Sequence, residues 1–284
     1  MSFELDCMLT RSDRMPNDNL AAPTPWWTLA RGDGPVLSTA IHDGHAVRSD
    51  LADRFALSDT ERLREEDPFT GNAVLDAPNH FIAHRSRFEV DLNRPLDTAV
   101  YQTPEQCWGL KVWRRPLTGD EVEQSRDYHR RVYAELGRTI DQLAKDFPAF
   151  VVLDVHSYNH RRDGPDALPT PTEQAPDINI GTFSMPRERW AHVVDPYLAF
   201  LSDYDFAGRR LSVAENLAFQ GKGEWTRFVH DRHPRQGCAI AFEFKKFFMD
   251  EWTGAADPAE LHAMRRLVRD SVAFLTDLIG DRRP

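Results

Sequence analysis

The residues with the most chemistry to offer stand where apolar runs stop. His42 follows Pro35–Ile41 (PVLSTAI) and opens a polar loop, His42-Asp43-Gly44-His45; His156 follows Ala149–Val155 (AFVVLDV), whose end also delivers Asp154 and Ser157. Imidazole alongside a carboxylate is a common ligand set for zinc, and catalytic sites keep a fourth position open for water. Carboxylates are concentrated in Glu65-Glu66-Asp67, within a stretch punctuated by Pro68 and Gly71. On residue type alone the ordinary readings come first: satisfied core or surface histidines, and a solvated acidic turn. Glu243 is harder to dismiss, because it sits in Ala239–Phe244 with apolar residues on both sides. An unpartnered charge there is costly, and a position facing a cleft resolves the conflict.

Recognisable elements position these residues. Val122, Val132, Leu136, Ile140, Leu143 and Phe147 form a helical apolar stripe, opened by a Thr118-x-x-Glu121 capping box and stopped at Pro148. Strands are expected at Pro35–Ile41, Ala149–Val155, Ile178–Phe183, Arg210–Val213 and Cys238–Phe244. Helices are expected from Arg187 to Leu201 and from Asp257, with Pro258 at the first helical position. This alternation predicts one α/β sheet covered on both faces, with ligands at the C-terminal strand ends. Arg162–Pro176, rich in Pro, Asp and Gly, reads as a long surface loop of the kind that forms lids. The aromatic residues around Trp108 and Trp113 are assigned to the core.

Composition narrows the function class. A chain of 284 residues with 35 basic and 45 acidic residues carries a formal charge of −10. Such a charge repels nucleic acid and anionic lipid at long range, while a local arginine cluster can still bind a small anion. Cys7, Cys107 and Cys238 form no CxxC pair, which fits a reducing, cytoplasmic compartment. Met1–Leu20 carries Asp6, Asp13 and Asp18 and lacks the apolar stretch of a signal peptide. No run approaches the ~18 apolar residues that span a bilayer. We expect a single domain over residues 1–284 and leave the oligomeric state open.

Leu153–Tyr158 (LDVHSY) and Ser86–Pro95 (SRFEVDLNRP) resemble the zinc carboxypeptidase superfamily and, more closely, the N-formylglutamate amidohydrolase family. Asp177–Thr182 (DINIGT), Asn216 with Phe219–Trp225, and Glu243 within AFEFKKFFMDE extend the similarity from about residue 35 to 252. The resemblance implies a three-layer α/β sandwich with a mixed central sheet, of the zinc carboxypeptidase-like (phosphorylase/hydrolase-like) kind. It further implies one Zn2+, or another divalent metal, held by His42, by Glu66 or Asp67, and by His156. His45 is an alternative third ligand, since His42-x-x-His45 imitates the His-x-x-Glu spacing of the carboxypeptidases. The implied reaction is hydrolysis of the amide bond of a small N-formyl or N-acyl amino acid such as N-formylglutamate. A carboxypeptidase or deacylase, and a non-catalytic anion-binding protein on the same fold, are the alternatives. Asn93 and Arg94 fall on the element that grips the substrate carboxylate, where arginine offers a bidentate fork. Glu243 is the expected proton carrier. Arg87 and Arg227 are candidates for polarising the scissile carbonyl or holding a second carboxylate, with surface ion pairing an equal alternative. Asp154 is a candidate for orienting His156.

Overall fold

The structure, a computed structural model, describes residues 25–280. Cys7 and the Met1–Leu20 stretch fall outside the described residues. One seven-stranded sheet organises the molecule: β1 (Trp27–Ala30), β2 (Val36–Ala40), β3 (Asn79–Ala83), β4 (Phe150–Tyr158), β5 (Ile178–Gly181), β6 (Val213–Glu215) and β7 (Gly237–Lys245). The spatial order is β1-β3-β2-β4-β7-β5-β6. The central strands β3, β2, β4 and β7 run parallel, whereas β1 and β5 pair antiparallel to β3 and β7. The sheet is therefore mixed, as expected.

Seven helices accompany it: α1 (Ser49–Ala52), α2 (Asp59–Glu65), α3 (Thr70–Val74), α4 (Gly119–Asp146), α5 (Ala191–Asp203), α6 (Glu224–Arg232) and α7 (Pro258–Gly280). The alternation of side chains along each strand divides them into two layers. Val151, Leu153, Val155, Ile240, Phe242 and Phe244 pack against apolar residues of α5 and α7. Phe150, Val152, Ala239 and Leu37 pack on the other face against Val132, Leu136 and Ile140 of α4 and Trp225 and Val229 of α6. Each fully buried aliphatic side chain of this kind contributes about 1.5–3 kcal/mol. The predicted capping box opens α4, with Thr118 Oγ1 accepting from Glu121 N and Glu121 Oε2 accepting from Thr118 N. Phe147 is extended and ends the helix before Pro148.

Several boundaries move. β4 and β7 run three residues and one residue past their predicted ends, so His156 and Ser157 lie within β4 and not after it. β6 begins where the expected Arg210–Val213 strand ends, because its pairing with β5 starts at Val213. β1, β3, the short helices α1–α3 and α6 carry too little periodicity to be read locally. Asn79–Ala83 is buried on both faces, and its strand identity comes from lying between β1 and β2.

Candidate active site

On the face of the sheet that α4 covers, two adjacent strands change character along their length. In β4 the inward series Phe150, Val152 becomes Asp154, His156; in β7 Ala239, Ala241 becomes Glu243. Parallel register sets His156 beside Glu243 and Thr39 of β2 beside Asp154. Strand order reverses between β2 and β4, the place where open α/β sheets leave a crevice. His42 leaves β2 at this crevice, and Asp67 arrives from the loop after α2, its backbone N–H donating to the His42 carbonyl at 3.0 Å.

The result is a buried trio, His42, Asp67 and His156, whose potential ligand atoms lie within 4.8 Å of one another. Asp67 Oδ2 stands 2.9 Å from His156 Nδ1 and 3.4 Å from His42 Nδ1. The opposite nitrogens are taken: His42 Nε2 pairs with Asp91 Oδ1 at 2.7 Å, and His156 Nε2 with Asp154 Oδ2 at 2.8 Å. A carboxylate behind each imidazole fixes its orientation and makes its free nitrogen a better metal ligand. His42 Nδ1 is buried with no hydrogen-bond partner, an uncommon state for a buried polar atom. That orphaned nitrogen beside an acidic oxygen suits a cation, so the residues fit a divalent metal.

The supporting carboxylates are themselves secured. Asp91 accepts from Arg87 Nη2 at 2.9 Å, from Asn93 N at 2.8 Å and from the Tyr101 hydroxyl. Burial together with the Asp91 charge raises the Tyr101 pKa and keeps it a donor. Behind Asp154 runs a buried chain in which Trp225 Nε1 donates to Thr39 Oγ1 at 3.1 Å and Thr39 donates to Asp154 Oδ1 at 2.7 Å. Burial by itself pushes the Asp67 carboxyl up, but the hydrogen bond with His156 and the nearby charge of both imidazoles outweigh it and hold Asp67 ionised. Burial likewise opposes the His156 imidazolium, yet Asp154 and Asp67 raise its pKa.

The acidic pair divides. Asp67 joins the trio, whereas Glu66 turns away and takes His45 Nδ1 at 2.6 Å, the Ser86 hydroxyl and, at 3.6 Å, the Arg62 guanidinium. This corrects the candidacy of Glu66 and of His45 as ligands: successive side chains leave the backbone in different directions, and these two satisfy each other. The loop is pinned from below by buried Lys246, whose Nζ donates to the carbonyls of Arg64 and Glu66 and to Asn159 Oδ1 at 2.6–2.9 Å.

A cleft of about 320 Å3 opens over the trio, lined also by Glu243, Asn93, Arg87, Tyr158 and Phe219. That volume suits a small molecule of amino-acid size. Burial, with Asp67 and Asp154 adding to it against the opposing pull of His156 and His42, raises Glu243 to about 7. Asn93 Oδ1 accepts from Trp225 N at 3.2 Å, and any side chain at Gly223 would collide with it. Arg94 stacks over Tyr101 and lines an adjoining recess with Arg87, Asn93 and Arg227. Arg227 is half-exposed and paired with Glu224, outside the cleft proper, so the structure does not bring it to the trio. Trp108 corrects the expectation of a core residue: it is 58% exposed and lines the cleft with Arg87 over its ring, while Trp113 is buried. A backbone in the left-handed region, φ 49°, turns Trp108 outward. Asp91, Thr39, Trp225 and Lys246 were not singled out from the sequence. Only Asp154 carried a local signal, its two-residue spacing from His156 on one strand face.

Comparison with known proteins agrees with this geometry. The sequence profile of the N-formylglutamate amidohydrolase family matches residues 34–249. An N-formylglutamate deformylase from Pseudomonas aeruginosa is 29% identical over 280 residues, covering 87% of this chain and 95% of that protein. Among solved structures, an N-formylglutamate amidohydrolase from Ralstonia eutropha superposes with a TM-score of 0.69 at 19% identity, over 90% of this chain and 98% of that one. A gene product from Agrobacterium tumefaciens gives 0.58 at 15% identity, over 90% and 93%. These two structural likenesses speak for the α/β fold. With a profile match that spans β2 to β7 and includes the positions of His42, Asp67, His156 and Glu243, the chain belongs to the N-formylglutamate amidohydrolase family.

Proposed function

We propose that this protein is a zinc-dependent amidohydrolase that cleaves the amide bond of a small N-formyl or N-acyl amino acid such as N-formylglutamate. The observation that carries this reading is the convergence of His42 Nδ1, His156 Nδ1 and Asp67 Oδ2 in one buried trio at the floor of the cleft. Two imidazoles and one carboxylate make the three-ligand set of a hydrolytic zinc site. These residues would hold the ion, which when bound supplies the Lewis acidity that makes water a nucleophile near neutral pH and polarises a carbonyl.

The chain's own groups do the rest. Glu243 accepts a proton from the attacking water at a carboxylate oxygen and passes it to the departing nitrogen. A pKa raised to about 7 suits a carboxylate that takes up a proton and gives it back near neutral pH. Asn93 and Arg94 receive the α-carboxylate of the substrate, Asn93 by a neutral hydrogen bond and Arg94 by its planar fork. Arg87 donates to Asp91, lies over Trp108 and acts by holding Asp91 against His42. Arg227 extends the positive rim beside Arg94.

The whole chain is read as one domain, since a single sheet runs from Trp27 to Lys245. A cytoplasmic setting accords with the buried free thiols of Cys107 and Cys238. Among the described residues no helix is long and apolar enough to cross a membrane. The test pairs elemental analysis with turnover on N-formyl, N-acetyl and dipeptide amides. Glu243→Gln should keep the wild-type metal stoichiometry and lose ~10²–10⁴ in turnover; full activity in that variant would remove the assigned proton carrier. Absence of any bound divalent metal in active protein would remove the zinc reading.

A further inference from the structure

Most cationic groups in and around the cleft already have partners, and Lys222 in the adjoining recess lies over the Phe183 ring. Lys246 spends all three of its protons on two carbonyls and Asn159. Arg64 lies between Glu65 and Glu251 and stacks on Trp252. Arg87 is bound to Asp91, and Arg227 to Glu224. Arg94 has only a share of Asp91, at 3.7 Å, which Arg87 and His42 also use. It retains capacity for one carboxylate.

Arg162 differs from all of these. It lines the cleft that holds the trio, and among the described residues it has neither an ion pair nor a hydrogen bond. The backbone just before it, at His160 and Arg161, is held. The carboxylate of buried Glu251 accepts from His160 N at 2.7 Å and from Arg161 N at 3.0 Å, and Trp252 Nε1 donates to the Arg161 carbonyl at 3.0 Å. Thr170 closes the loop by donating to the His160 carbonyl through its N–H and its hydroxyl, at 2.7 and 2.9 Å. A guanidinium that follows an anchored segment and lines a cleft in which most neighbouring cations are paired is a vacant anion contact.

We propose that Arg162 receives a second, non-reacting carboxylate of the substrate, so that the cleft selects N-acyl derivatives of acidic amino acids over their neutral amides. This rests on the hydrolase reading above and assigns its side-chain specificity to a residue of the 160–176 loop. Arg94 and Arg162 then divide two carboxylates between them.

The experiment compares zinc-loaded wild type, Arg162→Gln and Arg162→Lys on N-formyl-L-glutamate and N-formyl-L-glutamine, which differ only in the side-chain charge. Wild type should favour the glutamate by at least ~10-fold in kcat/KM, and Arg162→Gln should erase that preference by raising KM for the glutamate alone. Arg162→Lys should restore part of it. Equal losses on both substrates, or a preference that survives the substitution, overturns the proposal. If wild type hydrolyses neither, the amidohydrolase reading fails, and calorimetry with glutarate and butyrate decides the Arg162 question. Tighter binding of glutarate that Arg162→Gln abolishes supports the assignment; equal affinity for the two acids, or binding of neither, overturns it.

Discussion

Two histidine–carboxylate clusters sit back to back across the Glu66–Asp67 peptide, and they differ in how completely they are closed. In the first, Glu66 is fully buried and accepts from His45 and Ser86, with Arg62 nearby. His45 uses its second nitrogen as well, 3.3 Å from Arg62 Nη2. In the second, Asp67 lies between His42 and His156, and each imidazole has one nitrogen held by a supporting aspartate while the other turns inward. His42 Nδ1 is left with no hydrogen-bond partner. The same residue types thus build a closed network on one side and an open coordination set on the other. The difference teaches that a ligand site is marked by unspent valence, because a satisfied polar network has nothing left to offer a metal.

Breaking the open cluster should have the largest effect. Removing an outer partner of a metal ligand typically costs 10–100-fold, so Asp67→Ala, which removes a ligand itself, should cost more than ~10² in activity and release the metal. Elemental analysis of the purified variant checks this, and retention of one equivalent of metal would contradict the assignment. Breaking the closed cluster should leave the metal in place and cost stability instead. Glu66→Gln weakens three interactions of a buried carboxylate, so unfolding in urea should show a loss of about 1–3 kcal/mol with metal stoichiometry unchanged. Metal loss as severe as that of Asp67→Ala would erase the distinction.

Another buried histidine sharpens the comparison. His230 has only neutral partners: its Nε2 accepts from Ala239 N at 2.9 Å, and its Nδ1 lies 3.2 Å from Ser184 Oγ. Burial lowers its pKa from 6.5 to about 4, the reverse of His156. With the folded value below the unfolded one, the unfolded chain binds the extra proton between those limits. Its stabilising contribution is complete above pH 6.5 and declines as pH falls toward 4, by up to ~3 kcal/mol. Denaturation at pH 7.5 and 4.5 should show that His230→Gln flattens this slope, whereas an unchanged slope would assign the acid sensitivity to other groups.

What could be read locally follows from periodicity and covalent neighbours. The α4 stripe, its capping box, the α7 start at Pro258 and the buried runs of β2, β4 and β7 are patterns within a few residues, and burial enforces them. Glu243 was visible because it interrupts an apolar run, a costly placement that asks for a partner, and His42 and His156 because each stands where such a run ends. β1 and β3 were not visible and β6 was expected three residues early, since a short strand of 3–5 residues takes its identity from the neighbour it pairs with. The choice between Glu66 and Asp67 was likewise beyond local reading. It turns on which way each side chain leaves the loop, and that is set by Lys246, about 180 residues downstream, gripping the Glu66 carbonyl. Asp91 and Thr39 acquire their roles only when β2, β4 and the 86–95 segment meet. Sequence by itself determined which residue types were present and which elements would carry them; tertiary structure decided which of their nitrogens and oxygens remain unspent, because hydrogen-bond valence is used up by partners brought together from across the chain.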